Sequence, residues 1–272
     1  MRLKWILITA CLFLGGFMYA GNVEHENVLA VRFGGNYVQD RYLSPLLYKG
    51  YRVGIGNEWL QPFRKMQERE GSRWEHKGEV NMQFAWMYNP VKTNLIYSIG
   101  GYAGWGAYYV WSFQKAGVRL WIGPFLEADY TARWHVSNVN KPYSMDISAD
   151  VTALAGVSYA FSCKKTSYRL LYTIRANMIG VDYVPDYWQS YYEMTEGVLG
   201  RVRCSGMWNH RLLRHTLFLD LQFPHSTWRV GVEHSYLEYG IKGMMFSSEQ
   251  VSVVVGTIFR YKLKPNHNLT CF

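Results

Sequence analysis

The stretch QVSVVVGTIFRYKL, from Gln250 to Leu263, decides the fold. Side chains of an extended chain point alternately to its two sides. Val251, Val253, Val255, Thr257, Phe259, Tyr261 and Leu263 therefore share one face. Gln250, Ser252, Gly256, Arg260 and Lys262 share the other with Val254 and Ile258. The apolar face ends in two aromatics beside Arg260 and Lys262, the pattern of a lipid-facing strand where it meets a membrane surface.

The same two-sided strand recurs along the chain. Leu29, Val31, Phe33 and Tyr37 alternate with Arg32, Gly34 and Asn36, and Tyr51, Val53, Ile55 and Trp59 with Arg52, Gly54, Gly56 and Glu58. Val80 to Tyr88 and Leu95 to Ile99 give a third and fourth strand. The glycine-aromatic run Gly100 to Trp111 that follows has no legible path. A fifth strand runs from Val118 to Tyr130, with Pro124 predicting a bulge. The sixth, Asp146 to Phe161, alternates without a miss. Tyr168 to Met178, Val198 to Trp208, Leu217 to Phe223 and Trp228 to Tyr236 continue the series, and Tyr239 to Phe246 is either the end of the last or a separate strand. No helix-period segment of useful length follows residue 20, and no repeat of propeller length occurs. The tally is eleven or twelve.

Residues 1–20 read as a secretory signal peptide. Arg2 and Lys4 precede an apolar run from Trp5 to Phe17, and Ala20 stands before the expected cut. That run is too short to span a bilayer as a helix. A lipoprotein signal at Ile8 to Cys11 is the rival, but it leaves almost no apolar region after Lys4. Residues 21–272 are then one domain, without a Pro/Ser-rich linker. Losing residues 1–20 removes two of the 29 Lys and Arg and none of the 20 acids, leaving a net charge of 27 − 20 = +7. These basic residues stand singly on strand faces rather than in a patch, so nucleic acid is not an expected partner. Cys163, Cys204 and Cys271 have neither zinc spacing nor the density of a disulfide framework, although a Cys163 to Cys204 bridge is conceivable.

Alternation alone does not choose between a soluble β-fold with its apolar face inward and a membrane barrel with that face outward. Export, aromatics near strand ends, and polar faces that mix charge with Gly and Ser favour the membrane barrel. The expected fold is all-β, a single antiparallel up-and-down transmembrane barrel in the outer membrane. Bacterial barrels have even strand numbers, so twelve strands come first and ten second. Its partners would be membrane lipid and the outer-membrane assembly machinery, with no cofactor and no metal.

The chain resembles outer-membrane β-barrel proteins of unknown function from the Bacteroides group. Three segments carry the resemblance: Tyr42 to Gly50 (YLSPLLYKG), Asn138 to Pro142 (NVNKP) and Val184 to Glu193 (VPDYWQSYYE). The resemblance implies the fold and the compartment, and it implies no activity.

One segment has catalytic residue types. His135, Ser137 and Asn138 are similar to the His-x-Ser-Asn core of outer-membrane phospholipase A, in which a base activates a serine. Here Val139 follows where that core has glycine. A phospholipase is therefore one alternative, with these three residues as its candidates. His210, His215, His225 and His234 show no spacing that converges on a metal. The polar faces offer another site: Glu127, Asp129, Asp146 and Asp150 on the fifth and sixth strands, and Arg169, Arg175, Arg201 and Arg203 on the seventh and eighth. In a closed barrel these eight project inward. They would either fill the lumen as paired ions, giving a structural or surface-binding protein, or line a narrow channel for small solutes.

Overall fold

A computed structural model of the chain describes residues 24–41, 44–63, 72–137, 143–163, 166–183, 202–241 and 244–262. The expected signal peptide lies outside these residues, as do Asn138, Arg201 and Cys271. Of the three resemblance segments only residues 44–50 fall within them.

Eleven strands form one antiparallel sheet: β1 (Glu24–Asp40), β2 (Tyr48–Pro62), β3 (Ser72–Tyr88), β4 (Leu95–Phe113), β5 (Val118–His135), β6 (Tyr143–Cys163), β7 (Thr166–Tyr183), β8 (Val202–Gly206), β9 (His210–Gln222), β10 (Thr227–Ile241) and β11 (Met244–Lys262). Each long strand pairs with its sequence neighbours, except that β9 takes the place beside β7, and β11 pairs back onto β1. Ten strands thus close a barrel. The eleventh, β8, pairs with β7 on the edge that β9 also uses, so it adds no position to the ring.

Twelve wall strands, the first expectation, are not present; ten, the second, are. The difference lies at two places. Tyr239 to Ile241 finish β10 and Met244 to Phe246 begin β11, so that segment makes no strand of its own. β8 has five residues, about 17 Å of extended chain, which is too short to cross a tilted wall. It continues the β9 edge after an interruption. On β7 the pairing moves from Ala176 opposite Leu213 to Ile179 opposite Gly206, so three steps on one side match seven on the other. Asn177 holds the break: its side-chain nitrogen donates to the His210 carbonyl (2.6 Å) and its oxygen accepts the Leu212 N–H (2.8 Å).

Two further expectations change. Gly100 to Trp111 is a continuous part of β4. Its glycines hid the alternation because they put no side chain on the inner face: a Cβ on Gly104 or Gly106 would come within 2.2 or 2.6 Å of the Phe125 ring, which is fully buried against them. Pro124 makes no bulge. The β4 to β5 pairing lapses at Gly123 and Pro124, where proline has no N–H to give, and resumes in the same register at Phe125. A register shift falls instead between Val151 and Thr152, where β6 meets β7. Cys163 and Cys204 are both free, so the conceivable bridge is absent.

Following cross-strand partners from Trp74 on β3 leads through Tyr109, Ile122, Ala155, Ile174, His215, His234, Val251, Gly35 and Tyr51 to Trp86. The circuit returns to β3 twelve residues further on (86 − 74 = 12). Ten strands with that shear tilt by about 40° to the barrel axis.

The faces are inverted relative to a soluble protein. Val31, Phe33, Ile55, Met82, Ile99, Val253 and Val255 are exposed on the outside, while Arg32, Arg52, Glu127, Asp220 and Glu233 are buried within. Outward aromatics gather near both ends of the wall. Trp74, Tyr109 and Trp111 pack together near one end, with Tyr159, Phe161 and Tyr168 beside them. Tyr51, Phe84, Trp86 and Tyr97 do so near the other.

Candidate functional site

The lumen is organised in layers. At the end where β1 enters and β11 leaves, Arg169 on β7 contacts Glu26 on β1 and Asp220 on β9 (2.7 Å to Asp220). Arg229 on β10 contacts Asp220 (2.7 Å) and Glu58 on β2 (3.1 Å). Lys77 on β3 lies 3.1 Å from both Glu58 and Glu79. Nearby, Arg73 and Arg119 share the buried Glu75 carboxylate.

A second layer crosses the middle. Arg175 on β7 lies 3.0 Å from Glu127 on β5 and 3.3 Å from Glu79 on β3. Arg214 on β9 reaches Glu127 at 2.6 Å and Asp129 at 3.4 Å. Arg32 on β1 donates to Glu233 on β10 (3.0 Å), and Arg52 on β2 lies 3.7 Å from the same carboxylate and donates to Gln250. Tyr102 joins the groups: its hydroxyl donates to Glu79, and the Arg214 guanidinium sits 3.8 Å from its ring centre. Buried ions are tolerated only when paired and hydrogen-bonded in this way.

The far end is apolar. Val38, Tyr48, Ala85, Met87, Ile96, Tyr239 and Phe246 form one buried cluster. Arg133 covers Phe246 at 4.0 Å and binds Asp40 (3.3 Å) and Asp146. Cavities flank the central layer, among them one of about 80 Å³ on its chain-end side and one of about 40 Å³ between it and the apolar cluster.

The predicted residues fall into three groups. Glu127, Asp129 and Arg175 meet in the central layer, and Arg169 belongs to the layer nearer the chain ends. Asp146 pairs with Arg133, while Asp150 accepts from Ser205 (3.2 Å) and lies 3.9 Å from His210. Arg203 forms a two-pronged pair with Asp182, at 2.7 Å for each contact. Arg32, Arg52, Glu58, Glu79, Arg214, Asp220, Arg229 and Glu233 were missed as site members. Their inward parity is readable in sequence, but not the partners they meet.

His135 is buried inside the lumen, its Nε2 2.7 Å from the Tyr48 hydroxyl, whereas Ser137 is exposed in the following turn. No cluster of three or more His, Cys, Asp or Glu side chains among the described residues is arranged to hold a metal. The spacing argument nevertheless overlooked one meeting. His215 and His234 are direct cross-strand partners on the outer face, with rings stacked 5.8 Å apart. Tyr172 lies 2.9 Å from the first and Glu249 3.2 Å from the second.

A sequence family described as "Protein of unknown function (DUF3316)" matches residues 21–265. No curated protein matches the chain. Among solved structures it is similar to the translocator domain of the autotransporter NalP from Neisseria meningitidis, with 10% identity over 95% of this chain and 96% of that one and a TM-score of 0.37. It is also similar to Neisserial surface protein A, with 13% identity over 87% and 97% and a TM-score of 0.27. The corresponding values for a mutant of the monoaromatic hydrocarbon channel TodX are 10%, 89% and 91%, and 0.29.

Proposed function

This chain belongs to the DUF3316 family, and we propose that it is an integral outer-membrane barrel whose lumen is closed by its own side chains, with a structural or surface-binding role. The observation that carries the reading is the central layer, in which Arg32, Arg52, Arg175 and Arg214 are tied across the lumen to Glu79, Glu127 and Glu233 on strands that are not their ladder neighbours. A solute crossing the lumen would have to separate these pairs.

Membrane residence is supported by the outer surface. From Trp74 to Trp86 the strand rises about 40 Å, or about 30 Å along the axis at a 40° tilt, close to the thickness of a bilayer's hydrocarbon core. Aromatic girdles flanking such a band are characteristic of these barrels. Tyr183, which ends β7, and Val202, which begins β8, lie at the end opposite the start of β1, with eighteen residues of sequence between them. That end would face outward and the chain ends the periplasm. Kinship with Bacteroides-group barrels is part of the same proposal, supported by the three segments quoted above.

Planar-bilayer recording on the refolded protein tests closure. Absence of a steady open level is the expected result. Sustained ohmic conductance would favour the second reading, a narrow channel, to which the two cavities flanking the central layer also lend support.

A further inference from the structure

The cavity nearer the chain ends is two-sided. Tyr108, Trp121, Leu154, Leu171 and Phe218 form an apolar wall, and charged side chains and hydroxyls line much of the rest. Apolar groups inside a charged interior gain nothing from facing water, and a concave apolar wall with a few convergent polar groups is the usual make-up of a small-molecule site.

The charge on its polar side is unevenly shared. Glu75, 2% exposed, is a single carboxylate serving two guanidiniums, Arg119 at 2.7 Å and Arg73 beside it. Arg119 lines the cavity and is 29% exposed, so its remaining donors are accessible from that space. If Arg119 turned to an incoming anion, Glu75 would keep Arg73 and no carboxylate would be left buried and unpaired.

We propose that this cavity is a blind binding site for a small carboxylate with a short aliphatic body, which lies against Trp121, Leu154 and Phe218 with its carboxylate on Arg119. Arginine suits this task because its planar fork matches a carboxylate with two parallel hydrogen bonds. The inference rests on the closed-barrel reading only for the site being blind. Binding is measured apart from conductance, so failure of one does not imply failure of the other.

The test is calorimetric titration of the refolded barrel with three small probes of similar size: propionate, 1-propanol and 1-propylamine. The carboxylate is expected to bind at least tenfold more tightly than the alcohol, and the amine more weakly than either. Arg119→Gln should reduce the carboxylate to the level of the alcohol. Leu154→Trp, which fills the cavity, should abolish binding of all three. Circular dichroism checks that each variant is folded, and if Leu154→Trp does not fold, Arg119→Gln alone decides. The proposal is overturned if the carboxylate does not bind, if the amine binds as tightly, or if Arg119→Gln leaves the preference for the carboxylate unchanged.

Discussion

Arg175 on β7 and Glu79 on β3 meet across the lumen, 3.3 Å apart and separated by 96 residues of sequence, from walls four strands apart around the ring. Arg175 also holds Glu127, so one side chain ties three strands together.

Removing that side chain leaves two buried carboxylates short of a partner. Breaking a buried ion pair costs about 3–5 kcal/mol, so Arg175→Ala should markedly lower the urea midpoint of the detergent-solubilised barrel. In a double-mutant cycle with Glu79→Gln the two losses should be less than additive, because the second change relieves the charge that the first one exposed. Strict additivity would mean that the pair is not coupled.

Closure should reside mainly in the charged layer. Phe246→Ala thins the apolar cluster at the far end but leaves Arg175 and Arg214 in place, and no steady conductance is expected from it. Combining it with Arg175→Ala and Arg214→Ala should give a measurable leak in planar bilayers. A leak from Phe246→Ala alone would assign closure to the apolar cluster.

Gly104 on β4 should tolerate no larger residue. Its missing side chain makes room for Phe125, whose ring stands 4.5 Å from the Arg175 guanidinium. Gly104→Leu would force that ring aside, at a cost of at least the 1–3 kcal/mol typical of overpacking. Refolding yield, followed by circular dichroism, should fall sharply, and Phe125→Ala in the same chain should recover part of it.

His215 and His234 stand midway along the ladder circuit that joins Trp74 to Trp86, flanked on it by Ile174 and Val251. If lipid surrounds that part of the wall, a polar ring there is unfavourable. His234→Leu should then stabilise the barrel in lipid vesicles by about 1 kcal/mol. A loss of stability would show that the Glu249 contact outweighs the cost of placing the ring in lipid.

The sequence by itself determined the two-sided strands, and with them which residues point inward. That information has a period of two and lies in each residue's immediate neighbours. The run Val251 to Phe259 already separates an outer face from an inner one, and Asp146 to Phe161 does so without a miss. Even where glycines blank the inner face, as along Gly100 to Gly106, the outward residues keep the period, although too few side chains remain to read it.

Only the tertiary structure decided which inward residues meet. Ten strands with a shear of twelve carry each strand past its partner by an amount that no single segment encodes. Arg32 consequently finds Glu233, 201 residues away. The register of the β9–β10 hairpin placed His215 against His234 on the outside, a meeting that sequence spacing had not shown. Strand pairing also left β8 without a position of its own in the ring, because β8 pairs with β7 on the edge that β9 continues.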